Sequence, residues 1–105
     1  MTSGNLFDGV TPPPSGEIFE TLLRHRNLVI ERIVSSSQPE PVEYVQPQDE
    51  WVILVSGEAT LEVRGVDHRL NTGDYLFLPA LTPHTVKHTS HGTVWLAVHL
   101  LASEE

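Results

Sequence analysis

The chain has 105 residues, 39% hydrophobic and 19% charged, and no cysteine. That suits one domain with one modest core, burying about 60–70% of its unfolded surface, and it excludes disulfides, thiolate metal sites and a cysteine nucleophile. Six Lys and Arg against 14 Asp and Glu give a net charge of −8, which argues against nucleic acid and anionic membranes as partners, because phosphates repel an acidic surface.

The opening Met1-Thr2-Ser3-Gly4-Asn5 has no basic segment followed by an apolar one, so no signal peptide is predicted. No apolar run approaches the ~18 residues of a membrane span, and a cytoplasmic location is expected. Residues 1–16 are expected to form a flexible arm, since Pro12-Pro13-Pro14-Ser15-Gly16 suits neither helix nor sheet. Leu6 and Phe7 are available to anchor it. Residues 17–105 are expected to form a single domain. Glu17 to Leu23 is expected to make one helical turn with Ile18, Phe19, Leu22 and Leu23 facing inward.

From there the signals are those of strands. Asn27 to Val34 is rich in Val and Ile, and Ser35 to Pro41 is a loop. Val42 to Gln46 is a short strand stopped by Pro47. Glu50 to Val55 is an apolar run of the kind covered on both faces. Ser56-Gly57-Glu58 turns it into Ala59 to Val63, where Leu61 and Val63 alternate with Glu62. Arg64-Gly65-Val66-Asp67 is a hairpin turn leading to His68 to Leu70, and Asn71-Thr72-Gly73-Asp74 is another turn. Tyr75 to Leu78, His84 to Thr89 and Thr93 to Leu101 complete the set. About eight short strands, with no crossover helix between them, predict an all-β sandwich or small barrel.

Two stretches carry the candidate site: Glu50-Trp51-Val52-Ile53-Leu54-Val55-Ser56-Gly57, and Gly73 to Pro79 followed by Ala80-Leu81-Thr82-Pro83-His84. The spacing Glu50 to Gly57 and the spacings among Gly73, Pro79 and His84 resemble the two sequence motifs of the cupins, small β-barrels of the jelly-roll type. The resemblance covers roughly residues 28 to 100. It implies a jelly-roll barrel with Glu50 and His84 in its cavity. It also implies a homodimer, often made by adding an N-terminal strand to the neighbour's sheet, for which the arm from Leu6 to Leu23 is the candidate. The chain departs from the motifs where function is concerned. The two histidines of the first motif fall at Tyr44 and Gln46, Leu81 replaces a glycine of the second, and His88 replaces its asparagine. The run Tyr44-x-Gln46-x-x-x-Glu50-Trp51 is similar to that of a subgroup of short bacterial cupins.

Tyr44 and Gln46 lie two apart on a strand and share a face, with Cα atoms about 7 Å apart. Both can converge with Glu50 and His84 if the cupin layout holds. His88 shares the face of His84 on a regular strand, but four residues span about 13 Å, too far for the two to ligate one ion. It is a candidate substrate contact at the cavity mouth, with plain packing the alternative. An imidazole, a carboxylate, an amide and a phenol of ordinary pKa about 10 suit harder divalent ions such as Mn²⁺, Fe²⁺ or Mg²⁺ better than Zn²⁺. Gln46, Glu50, His84 and Tyr44 are therefore candidate metal ligands. They are equally able to form a hydrogen-bonded polar cluster without metal. In that case burial raises the pKa of Glu50, and Glu50, His84 and Tyr44 are candidate acid–base residues.

The other histidines read as structural. His25 sits between two arginines, His68 in a hairpin and His91 before Gly92, all consistent with surface. His99 alternates with Trp95 and Ala97 and reads as a pairing residue across a sheet or dimer interface. Trp51 faces away from Glu50, and Trp95 is core or pocket wall. Two functions stay open. One is an enzyme acting on a small polar metabolite through a divalent metal (Mn, Fe, Zn or Mg) or through acid–base chemistry; the other is a barrel that binds a small molecule or carbohydrate without turnover and without tightly bound metal.

Overall fold

The computed structural model describes residues 1–102, so residues 103–105 of the expected domain lie outside it. Nine strands run in chain order: β1 Glu17–His25, β2 Leu28–Ser35, β3 Glu43–Tyr44, β4 Asp49–Ser56, β5 Glu58–Val63, β6 Val66–Asn71, β7 Tyr75–Leu78, β8 His84–Thr89 and β9 Thr93–Leu100. There is no helix among the described residues, and none long and apolar enough to cross a membrane. The strands form two antiparallel sheets, one ordered β1-β2-β9-β4-β7 and the other β3-β8-β5-β6. This is the jelly-roll arrangement: chain neighbours such as β4 and β5 lie in opposite sheets and enclose the core between them.

The alternation of side chains explains the packing. On β4, Glu50, Val52 and Leu54 point inward while Trp51, Ile53 and Val55 are half-buried on the outer face. Val52 and Leu54 join Ile33, Ala59, Leu61, Leu70, Leu78, Trp95 and Ala97 in the buried core. Trp95 anchors this layer, because its indole Nε1 donates to Ser35 Oγ at 2.9 Å, which satisfies the one polar atom the ring brings inside.

Turn chemistry sets the registers. Between β5 and β6 only Arg64 and Gly65 turn, with φ of 50° and 81°. Both angles positive is the tight hairpin geometry that matches strand twist, and it releases Val66 and Asp67 into β6. Gly57, at the β4–β5 corner, has φ 107° and faces Thr93 so closely that a Cβ would stand 2.5 Å from Thr93 Oγ1 and 3.1 Å from Thr93 Cα. Glycine is required there both by conformation and by space.

The segment 17–23 departs from expectation. It is strand, not a helical turn, and Ile18, Phe19, Leu22 and Leu23 are 36–51% exposed, with only Phe19 among them lining the cavity. Their spacing imitates one helical face, yet the backbone is taken by β2, whose free edge offers eight paired positions from Glu17↔Ser35 to His25↔Leu28. A bulge between Thr21 and Leu23 breaks the alternation, so apolar residues accumulate on the outside. Before β1, Arg32 Nη1 donates to the carbonyls of Leu6 at 2.9 Å and Asp8 at 2.5 Å, holding the N-terminal residues against the outer face of β2.

Candidate functional site

One end of the barrel is open, and a cavity of about 60 Å³ enters there. Its wall includes Tyr44, Gln46, Glu50 and His84, the four residues expected to converge, together with Glu17, Glu31 and Trp95. Tyr44, Glu50 and His84 arrive by strand geometry, whereas Gln46 lies in the connection between β3 and β4 and not on the strand expected over Val42 to Gln46. Glu50 is the first inward position of β4, opposite His99 on β9 and Leu78 on β7. His84 opens β8 opposite Tyr44 of β3, and the two rings stack with centroids 5.7 Å apart. The loop before His84 is pinned to the segment that carries Gln46 and Glu50. Leu81 N–H donates to the Gln46 carbonyl at 2.7 Å and Ala80 N–H to Asp49 Oδ1 at 2.8 Å. Leu81 occupies a left-handed conformation, φ 65°, which accounts for the glycine that the resembling motif carries at that position.

The imidazole orientation follows from one contact. His84 Nδ1 lies 2.9 Å from the Thr82 carbonyl; a carbonyl only accepts, so Nδ1 carries a proton and donates it. That leaves Nε2 facing Glu50 Oε1 across 3.9 Å. The separation is too long for a hydrogen bond and leaves room for a ligand atom between the two. Glu50 is only 7% exposed, and its Oε1 has no hydrogen-bond partner. Burial pushes its pKa above the ordinary carboxylate value, although the nearby His99 and His84 pull the other way. A buried carboxylate oxygen without a partner costs about 1–3 kcal/mol, so a donor placed there gains more than it would at the surface.

Three side chains of this region escaped the sequence reading. Glu31 lies on the inward row of β2 between Val29 and Ile33, in phase with two buried residues; that phase was the available signal. It accepts a hydrogen bond from His99 Nε2 at 2.8 Å, and Gln48 Nε2 stands 3.3 Å from His99 Nδ1. His99 is thus a buried partner of Glu31, directly beside Glu50. The hydrogen bond to Glu31 raises its pKa against the opposing effect of burial, with the Glu50 charge adding to the rise. Glu17, at the start of β1, accepts a hydrogen bond from Ser35 Oγ. Its pKa is raised chiefly by burial, then by the charges of Glu50 and Glu40. Nothing local marks Glu17, because it reaches the cavity only through the long-range pairing of β1 with β2.

His88 is not brought into the site. It is exposed and does not line the cavity. The β5–β8 ladder slips between Thr60 and Leu61, pairing Thr60 with His88 and Leu61 with Val86. The irregularity restores Thr89 to the core and turns His88 outward, whereas an unbroken alternation from His84 would have carried it inward.

The resemblance raises the question of a metal, and the donor set does not fit one held tightly. Among the described residues no three His, Cys, Asp or Glu side chains are grouped as metal ligands. Glu31 is engaged by His99. The Tyr44 phenol is pushed above its usual pKa by burial and by the charges of Glu17 and Glu40, so it keeps its proton and is a weak ligand. Gln46 offers only a neutral carbonyl. One imidazole and one carboxylate remain.

The cupin-domain family model matches residues 33–99. A protein of Ralstonia eutropha JMP134, described as a candidate mannose-6-phosphate isomerase, is 44% identical; the match covers 97% of this chain and 100% of that one, with a TM-score of 0.88. An RmlC-like cupin from Shewanella frigidimarina NCIMB 400 has a TM-score of 0.79 at 20% identity over 96% of this chain and 90% of the other. KdgF from a Halomonas species has a TM-score of 0.75 at 16% identity over 86% and 80%. No curated protein matches the sequence.

Proposed function

The chain belongs to the cupin family, and from that premise we propose that it is an acid–base cupin that binds a small polar metabolite in its open cavity and moves a proton on it without a tightly held metal. The observation that carries this reading is the buried, partnerless Glu50 Oε1 facing His84 Nε2 at 3.9 Å. A ligand oxygen between them would donate to or receive a proton from Glu50, while His84, fixed by its Nδ1–H bond to Thr82, holds the ligand from the other side. A carboxyl with a raised pKa exchanges protons more readily near neutrality than an ordinary one. Tyr44 supplies a phenol hydroxyl at the same wall, and Gln46 an amide for orientation.

Proton transfer of this kind is compatible with an isomerase, the class to which the Ralstonia protein is provisionally assigned. The same pocket would also serve a protein that only binds its ligand, a reading favoured by the replacement of two motif histidines by Tyr44 and Gln46. Glu50→Gln and His84→Ala separate the two. Under the proposal turnover is lost while Glu50→Gln still binds; unchanged turnover and binding in both variants would sink it. Metal analysis of tag-free protein is expected to find no stoichiometric Mn, Fe or Zn. A stoichiometric ion that disappears in Glu50→Gln would overturn the metal-free mechanism.

A second copy of the chain is the proposed macromolecular partner. Trp51 packs against Tyr75 with ring centroids 5.6 Å apart and planes tilted by 33°, and Phe77 is exposed on the same strand as Tyr75. With half-buried Ile53 and Val55 they make an apolar outer face on the five-stranded sheet, of a kind that soluble monomers seldom leave open. Sedimentation at micromolar concentration is expected to give a dimer, and a monomer would contradict the pairing.

A further inference from the structure

The charge of the cavity wall is one-sided. Glu50, Glu31 and Glu17 all line the cavity, and Glu17 also lines an adjoining hollow at the mouth, together with Glu40, Phe19, Tyr44, Val86 and Gly16. The two spaces share Glu17, Phe19, Tyr44 and Val86, so they adjoin, with carboxylates in the wall of each. The charges act on one another. Glu17 is repelled by both Glu50 and Glu40, and Glu50 by Glu31.

Among the described residues basic partners stand only at the floor, where His99 bonds Glu31 and His84 faces Glu50, while Glu17 has only the neutral Ser35 hydroxyl. Among the described residues no Lys or Arg lines either space, and Glu17 and Glu40 form no salt bridge there. Arg32, although on β2, points to the opposite face, where it meets Glu20 at 2.8 Å and the Leu6 and Asp8 carbonyls. An anionic group entering these spaces would meet only like charge, so the phosphate in the name given to the Ralstonia relative has no counterpart here. An ammonium group would meet two carboxylates and the rings of Tyr44 and Phe19, the surroundings that favour a cation over water. The partnerless Glu50 Oε1, 7% exposed, provides an independent sign that a donor-bearing ligand belongs inside.

We infer that the cavity takes a small amine-bearing ligand, its ammonium group between Glu17 and Glu40 at the mouth and a hydroxyl or carbonyl group between Glu50 and His84 at the floor. The inference rests on the reading of the cavity as a ligand site and adds the charge class of the ligand.

Three two-carbon probes that share a hydroxyl and differ in charge test it: ethanolamine, ethylene glycol and glycolate. Each is titrated into the whole protein at neutral pH while the Trp95 indole and His84 ring resonances are followed. Ethanolamine is expected to bind about tenfold more tightly than the glycol, the equivalent of about 1.4 kcal/mol, and glycolate to bind least. In Glu17→Gln/Glu40→Gln the ratio of ethanolamine to glycol affinity falls to near one, with the dispersion of the Trp95 signal reporting that the fold is kept. Equal response to ethanolamine and glycol, or a stronger response to glycolate, overturns the charge assignment and leaves the ligand site standing. Silence of both resonances with all three probes overturns the site reading as well. Magnesium chloride alone reproducing the ethanolamine shifts would assign the mouth to a metal ion and overturn the amine.

Discussion

At the closed end of the barrel the inward residues are Leu54, Ala59 and Leu70, all buried and apolar. At the open end the same sheets turn Glu31, Glu50, His84 and His99 inward. Only three residues separate Leu54 from Glu50 on one strand, and the backbone pairing is continuous between them. The closed end gains from removing hydrocarbon from water; the open end holds charged groups whose burial works against folding. The contrast assigns stability to one end and ligand chemistry to the other.

Leu54→Ala strikes the closed end where nothing can collapse to fill the space, since Leu54 is 0% exposed. It is expected to lower unfolding free energy by about 2–5 kcal/mol in a denaturant titration. A loss below about 1 kcal/mol would mean that the closed end is not the stabilising half. Gly57→Ala follows at about 2–4 kcal/mol, combining a φ of 107° with the approach to Thr93. Gly73→Ala, at φ 93° with no atom within 4 Å of the added Cβ, is expected to cost only about 1 kcal/mol; equal losses would remove the role given to Thr93.

At the open end the expected sign reverses. Glu50→Gln keeps the shape and deletes a buried charge, so it is expected to stabilise by about 1 kcal/mol at neutral pH while abolishing proton transfer. The pH profile has the same origin. Glu17 and Glu50 have pKa values raised above 4.5 by burial. A carboxyl that binds its proton more tightly when folded contributes stability below its unfolded pKa and loses it as the pH rises through the raised value. His99, raised above 6.5 by Glu31, acts in the same direction at higher pH. Stability is therefore expected to decline from about pH 4.5 upward, and less steeply in Glu50→Gln. Thermal melts rising in stability over that range would break the comparison. The smallest effect is expected at His88, turned outward by the β8 irregularity. His88→Ala should stay within about 0.5 kcal/mol and leave ligand binding intact, and a binding defect would return it to the site.

The strands and turns were legible because alternation, β-branched runs and glycine-marked turns are local signals. β7 and β8 fall on the residues expected, and β2, β4, β5 and β9 within one or two positions. The resemblance to the cupin motifs also led to Glu50 and His84, and to Tyr44 and Gln46 where the motif carries histidines. The helical turn expected at 17–23 failed because local apolar spacing competes poorly with the free edge of β2.

The sequence by itself determined an all-β chain, the cupin motif spacings around Glu50, Gly57, Gly73, Pro79 and His84, and the loss of two motif histidines. Only the tertiary structure decided which further residues join the site. Glu31, His99 and Glu50 become neighbours through the registers of β2, β9 and β4, Glu17 arrives by the pairing of β1, and one slip of the β5–β8 ladder removes His88. Register is fixed by partners far away in the chain, and a shift of one residue exchanges the two faces of a strand, so the acidic character of the cavity emerges only once the sheets are assembled.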